Sequence, residues 1–215
     1  MIRTARYIIA ALLCAAGAAQ AQWEDAFAAF DAADRLHAPS PGGVLFVGSS
    51  TIRLWDGLES QFGAQPVIIK RGFGGSRLSD CTHHLDRLVT RYEPRMVLVY
   101  AGDNDLAEGR TPLELLQSFQ AFVDGVHRKL PATHIAFISI KPSPLRHELL
   151  PQIREANALI RDYTRTQETL EYIDVFTPML GADGAPRADL FRADALHMND
   201  AGYALWKRVI AERLR

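Results

Sequence analysis

Short apolar runs alternate along this chain with longer stretches of mixed character. Residues 44–47 (VLFV), 67–69 (VII), 96–100 (MVLVY), 135–140 (IAFISI) and 172–175 (YIDV) are rich in β-branched and aromatic residues. Continuous rather than alternating apolarity predicts strands covered on both faces, and hence a parallel sheet. Between these runs the apolar residues recur at helical spacing. Residues 24–37 set Phe27 and Phe30 three apart among alanines, and the APSPGG segment at 38–43 stops that helix. Residues 78–92 put Leu78, Cys81, Leu85, Leu88 and Val89 on one face of a single predicted helix. Thr111-Pro112 signals another helix start, and the pattern runs on to Lys129. Residues 147–166 form an amphipathic stretch, and Asn199 or Asp200 opens a last helix through Tyr203, Leu205, Trp206, Val209 and Ile210. Residues 181–192 read as an ordered polar loop. Strands alternating with helices predict a three-layer α/β/α sandwich.

Composition changes the picture mainly at the N-terminus. A chain of 215 residues, 48% hydrophobic and 23% charged, fits one ordinary globular domain. Its first 21 residues are different. Arg3 and Arg6 precede the apolar stretch 7–19 (YIIAALLCAAGAA), and Ala19-Gln20-Ala21 follows. This is the anatomy of an export leader cleaved after Ala21, leaving a single domain over 22–215 in the periplasm or outside the cell. The apolar stretch is too short to span a bilayer comfortably, so no stable membrane insertion is expected after cleavage. Removing residues 1–21 takes away two arginines and no acid, so the net charge moves from −1 to −3. A mildly acidic chain without a basic tract gives no case for nucleic acid. Cys81 is then the one cysteine left, which excludes an internal disulfide and reads as a small buried apolar residue.

Candidate chemistry lies where parallel sheets place it, just beyond the carboxyl ends of the strands. Gly48-Ser49-Ser50-Thr51 follows the first strand, Gly72-Phe73-Gly74-Gly75-Ser76 the second, and Gly102-Asp103-Asn104-Asp105 the third. Asp194-Ala195-Leu196-His197 stands just before the last helix. Taken singly, each has a bland reading: a helix cap, a flexible turn, an Asx turn, a surface histidine. The glycine-rich turn lacks the lysine of a phosphate-binding loop, and the Asp103–Asp105 cluster lacks the spacing of a calcium loop. No metal and no organic cofactor is expected. His83 and His84 beside Cys81 resemble a metal site only superficially, since a helical position would separate their side chains.

Together, in this order, the four pieces resemble the SGNH hydrolases, the GDSL esterase and lipase family. The resemblance spans nearly all of the chain after residue 21. It implies a flavodoxin-like sandwich of about five parallel strands. It places the nucleophile on Ser50, with Asp194 and His197 completing a triad. It places the oxyanion donors on the Ser50 and Gly75 backbone N–H groups and the Asn104 amide. Ser49 stands where the family usually has Asp, which leaves Ser49 open as an alternative nucleophile. Ser76 replaces a common Asp or Asn, which bears on how its loop is pinned. The chemistry fits these residue types, because a serine hydroxyl needs an adjacent base and a tetrahedral oxyanion needs preorganised donors. The implied reaction is ester hydrolysis through an acyl-enzyme. Short loops favour small acyl groups such as acetyl on a sugar or another simple ester. A lysophospholipase or thioesterase, or a non-catalytic glycan- or lipid-binding module, is the competing reading. Arg53, Trp55, Phe73 and Arg77 lie near the motifs, as pocket walls or as packing. N-terminal sequencing of exported protein should begin at Gln22; a retained Met1 would contradict the leader assignment.

Overall fold

The computed structural model describes residues 23–214. The expected leader, 1–21, lies outside the described residues. The chain forms two compact units that part between Ala38 and Pro39. In the first, helix α1 covers residues 23–36, and the rings of Phe27 and Phe30 sit 6.3 Å apart on it.

The second unit is built on a five-stranded parallel sheet in the order β2-β1-β3-β4-β5. Its strands are β1 (Val44–Gly48), β2 (Ile68–Gly72), β3 (Met96–Tyr100), β4 (His134–Ile138) and β5 (Leu170–Ile173). Every residue of β1 and β3 is buried, as continuous apolarity requires of strands covered on both faces. Eight helices of this unit are labelled in chain order after α1. They are α2 (Ser50–Arg53), α3 (Leu58–Gln61), α4 (Leu78–His83), α5 (Leu85–Leu88), α6 (Asp103–Ala107), α7 (Pro112–His127), α8 (Leu150–Thr164) and α9 (Asp200–Ala211). Helices cover both faces of the sheet. Residues of α2, α3 and α9 join Phe46, Leu98 and Tyr100 in one core cluster, centred on fully buried Trp55 and Trp206. Over the other face, Phe119 of α7 meets Phe137 of β4 at 5.0 Å, edge to face.

Local chemistry sets the helix ends. Thr111 caps α7 through a reciprocal pair with Glu114, and Pro112 takes the first turn where no N–H is missed. Asn199 caps α9 by accepting from the Gly202 N–H. The single helix expected over 78–92 is instead α4, α5 and a 3-10 turn at Thr90–Tyr92. The backbone leaves helical geometry at His84 (φ −103°, ψ 21°) and Val89 (φ −132°, ψ −64°). The β-branched pair Val89-Thr90 is poorly suited to a helix interior, and short pieces still bury Leu78, Cys81, Leu85 and Leu88. Strand β4 stops at Ile138 rather than Ile140, because the Asn157 side chain takes over both the N–H and the C=O of Ile140. Strand β5 covers 170–173 rather than 172–175, since Val175 and Phe176 turn to donate to the Ser139 hydroxyl.

Two glycines let α2 sit against the strand ends. Gly48 and Gly72 face each other in register. A Cβ on Gly72 would come within 2.2 Å of the Arg53 nitrogen, and one on Gly48 within 1.9 Å of the Tyr100 carbonyl oxygen. Gly48 also has φ +148°, a region side chains rarely adopt. Gly48→Ala should therefore lower unfolding free energy by more than about 2 kcal/mol in urea denaturation. A change within about 0.5 kcal/mol would contradict this backbone contact.

Candidate active site

Strand β1 delivers two serines to its carboxyl end, and the fold treats them differently. Ser49 is fully buried, and its hydroxyl has no hydrogen-bond partner among the described residues. Its backbone N–H bonds to the Tyr100 carbonyl, which locks the turn to β3. Ser50 opens α2 and is half-buried. Its Oγ lies 3.1 Å from Nε2 of His197. The structure thus brings Ser50, and not Ser49, to the imidazole.

The segment before α9 shapes the other half of the site. The Arg192 N–H bonds to the His197 carbonyl and the Ala195 N–H to the Arg192 carbonyl, closing a tight loop. Ala195 sits at its tip with φ +56°, a strained value for a residue with a Cβ. Within this loop Asp194 accepts N–H bonds from Leu196 and His197 at 3.0 and 2.9 Å. Its other oxygen is 2.7 Å from Nδ1 of His197. The Leu196 amide, the imidazole and the His197 amide hold the Asp194 carboxyl well below the usual carboxylate range. A carboxylate at Nδ1 keeps the proton there and turns the lone pair of Nε2 toward the serine hydroxyl. The chain Asp194–His197–Ser50 is therefore arranged to remove a proton from the hydroxyl.

The remaining motifs converge on the same strand ends. Gly75 has φ +74°, and a Cβ there would meet nothing within 4 Å, so the loop is open on that side. The Asn104 amide donates to the Ser76 carbonyl at 3.0 Å. Asp105 accepts the Leu78 N–H through both carboxylate oxygens at 3.3 Å. These two contacts pin the Gly72–Arg77 loop from the α6 side. Arg77 continues the join, bonding Asp80 and reaching Glu108.

Sequence reasoning missed two members of this cluster, Lys141 and Arg146, and gave Asp103 of the Gly102–Asp105 piece no part in it. Lys141 is fully buried and donates to Asp103 at 2.9 Å, to the Tyr100 hydroxyl at 3.0 Å and to Thr51 at 3.3 Å. Arg146 lies 3.2 Å from the same Asp103 oxygen and donates to Oδ1 of Asn104 at 2.9 Å. Burial opposes ionisation of both Asp103 and Lys141. Their mutual attraction prevails, helped at Asp103 by Arg146 and at Lys141 by Tyr100, and holds the acid below and the lysine above their ordinary values. Burial pushes the Tyr100 phenol up to about 12. A lysine immediately after an apolar strand was a usable signal for Lys141, whereas nothing in the pattern singled out Arg146.

The neighbours left open by the sequence are resolved. Trp55 and Phe73 are buried core residues, Arg53 is exposed beside Gly74, and Arg77 is an ion-pairing residue. His83 and His84 are not separated as expected. The chain turns between them, and their rings meet edge to face at 4.8 Å. Among the described residues no group of three His, Cys, Asp or Glu is placed to hold a metal ion. Burial raises the Cys81 thiol far above its usual value, which leaves it unreactive. A 760 Å³ concavity runs between α8 and the edge strand β5, and none of the triad candidates lines it.

A five-stranded parallel sheet with helices on both sides makes this a three-layer α/β fold, and a serine, a histidine and an acid meet at its carboxyl edge. Residues 43–205 match the GDSL-like Lipase/Acylhydrolase family, and the chain belongs to it. Members of this family are hydrolases that cleave esters. The fold is shared with a Streptococcus pneumonia protein named for platelet activating factor, at 20% identity and a TM-score of 0.83, over 96% of this chain and 99% of that one. It is shared with a GDSL-like lipase from Bacteroides thetaiotaomicron, at 21% identity and a TM-score of 0.67, over 80% and 88%. It is also shared with an acetyl esterase mutant crystallised with acetate ion, at 17% identity and a TM-score of 0.63, over 80% and 96%. No curated protein matches the chain.

Asp105, which anchors the site loop through the Leu78 N–H, ties the stability of the fold to pH. Burial raises its carboxyl from 3.8 to about 6, against the Leu78 N–H bond that lowers it. A carboxyl raised on folding favours the folded state most below its unfolded value, and that contribution fades as pH rises to the folded value. Asp105→Asn removes this dependence. Between pH 4 and 7 the variant should gain roughly 2 kcal/mol of unfolding free energy relative to the native chain. A difference that stays constant with pH would contradict the assignment.

Proposed function

We propose that this protein is an exported serine esterase in which Ser50 is the nucleophile, His197 the general base and acid, and Asp194 the residue that orients and charges the base. The supporting observation is the hydrogen-bonded chain from Asp194 through His197 to Ser50, at 2.7 and 3.1 Å. In the first half-reaction Oγ of Ser50 attacks the ester carbonyl while Nε2 of His197 takes the hydroxyl proton. The oxyanion of the tetrahedral intermediate faces the Ser50 and Gly75 N–H groups and the Asn104 amide. The intermediate collapses, and the alcohol leaves with the proton from His197. In the second half, His197 draws a proton from water, water attacks the acyl-enzyme, and the acid and free Ser50 are released.

Small acyl groups, acetyl among them, are the preferred substrates in this reading. One residue separates β1 from α2, and two separate β3 from α6. Turns that short supply little material for a deep acyl tunnel. The shared fold with an acetyl esterase is in keeping with this. Export fits an ester-bearing substrate outside the cytoplasm, and no helix among the described residues is long and apolar enough to cross a membrane.

Hydrolysis of p-nitrophenyl esters from acetate to long chains tests the proposal. Turnover should be highest on the shortest chains. Ser50→Ala should lower kcat by more than about 10⁴-fold and Ser49→Ala by far less. Asp194→Asn should lower it by about 10³- to 10⁴-fold. Activity rising toward long chains would overturn the small-acyl assignment in favour of a lysophospholipase-like enzyme. Full activity in Ser50→Ala would overturn the triad, and an inert wild type would favour a binding module.

A further inference from the structure

We propose that Arg146 is a positioning residue for this reaction, holding the Asn104 amide so that an Nδ2–H, and not the carbonyl oxygen, faces the developing oxyanion. The inference rests on the esterase reading above and adds to it a residue outside the triad and the oxyanion motifs.

An asparagine amide is nearly symmetric in shape, so its neighbours decide which end points where. On one side of Asn104 stands the Ser76 carbonyl, which can only accept, and Nδ2 donates to it at 3.0 Å. On the other stands the Arg146 guanidinium, which can only donate, and Oδ1 accepts from it at 2.9 Å. A half-turn of the amide would set oxygen against oxygen and N–H against N–H. Nδ2 carries two hydrogens, and Ser76 uses one. The second remains for substrate.

The guanidinium is itself held. Its Nη1 lies 3.2 Å from Asp103 Oδ2, the oxygen that Lys141 also binds at 2.9 Å. Lys141, Asp103 and Arg146 are only 1%, 7% and 16% exposed at their side chains. A buried lysine and a half-buried arginine share one carboxylate, and the three together carry one net positive charge beside Asn104. A charge-assisted bond to Oδ1 polarises the amide and makes its N–H groups better donors. The same turn reaches the rest of the machinery, because the Leu145 N–H donates to the Ala195 carbonyl in the loop between Asp194 and His197. Residues 143–149 therefore brace the oxyanion donor and the base from one side.

The test is a double-variant cycle on p-nitrophenyl acetate, with Ser50→Ala as the control for the underlying reaction. Arg146→Ala should lower kcat about 10- to 100-fold, less than outright loss of an oxyanion donor, with KM within about twofold. In the Asn104→Ala background, the same change should lower kcat less than about twofold, because its partner is gone. Millimolar guanidinium should restore part of the turnover of Arg146→Ala and none of that of Asn104→Ala. If Arg146→Ala does not fold, Arg146→Gln is read by the same cycle. A kcat in the Arg146 variant within twofold of the native value, or losses that multiply in the double variant, would overturn the proposal. With Ser50→Ala inactive and the wild type active, that result leaves the esterase reading standing. A wild type that cleaves no ester removes both.

Discussion

Ser50 and His197 are 147 residues apart in the chain and 3.1 Å apart in space, and the whole reading depends on what holds them there. The bond between them is weak next to the packing beneath it. Trp55, just after α2, lies tilted 5.2 Å from Tyr203 and meets Trp206 edge to face at 6.0 Å, both on α9. The Tyr203 hydroxyl donates to the Thr51 carbonyl, one residue beyond Ser50. Helix α2 carries Ser50 and α9 begins three residues after His197, so this aromatic contact sets the distance between the two side chains. Rigid, fully buried aromatic rings are suited to that task. Positional errors of about 1 Å are enough to slow a reaction by about 10²-fold.

The same strand ends carry an unusual load of buried polarity. Lys141 and Asp103 would be expensive to bury singly, and the ion pairs that Lys141 and Arg146 make with Asp103 Oδ2 offset that cost, while Asp103 Oδ1 and Arg146 Nη1 keep no hydrogen-bond partner among the described residues. Their position explains the arrangement. They join Thr51 from the β1 side, Tyr100 and Asn104 from the β3 side, and the turn after β4 into one network. Local strain gathers at the same edge, with Ala195 at positive φ between the two triad candidates. Sites that break local folding rules while their surroundings hold them in place are where function is expected.

Much of this was legible in the chain. Continuous apolar runs marked all five strands, and the residues just past them marked the site, because a parallel sheet places its ligands there. Legibility stopped where side chains rather than backbone pattern decide the outcome. The ends of β4 and β5 are set by Asn157 and Ser139, polar residues remote in sequence from the strand ends they terminate. The breaks at His84 and Val89 leave the apolar spacing of 78–92 intact, so periodicity could not reveal them. Arg146 looks like any surface arginine in a proline-rich turn. Its role exists only once β3 and β4 stand side by side.

Ser50 is proposed as a nucleophile activated by His197. The most direct measurement is covalent labelling of the purified protein with a fluorophosphonate, followed by mass mapping of the modified peptide. The account predicts one phosphonyl group per chain, on Ser50, with a labelling rate at least about 100-fold lower in His197→Ala. Label on Ser49 or elsewhere, or no label in a protein that still hydrolyses esters, would contradict it.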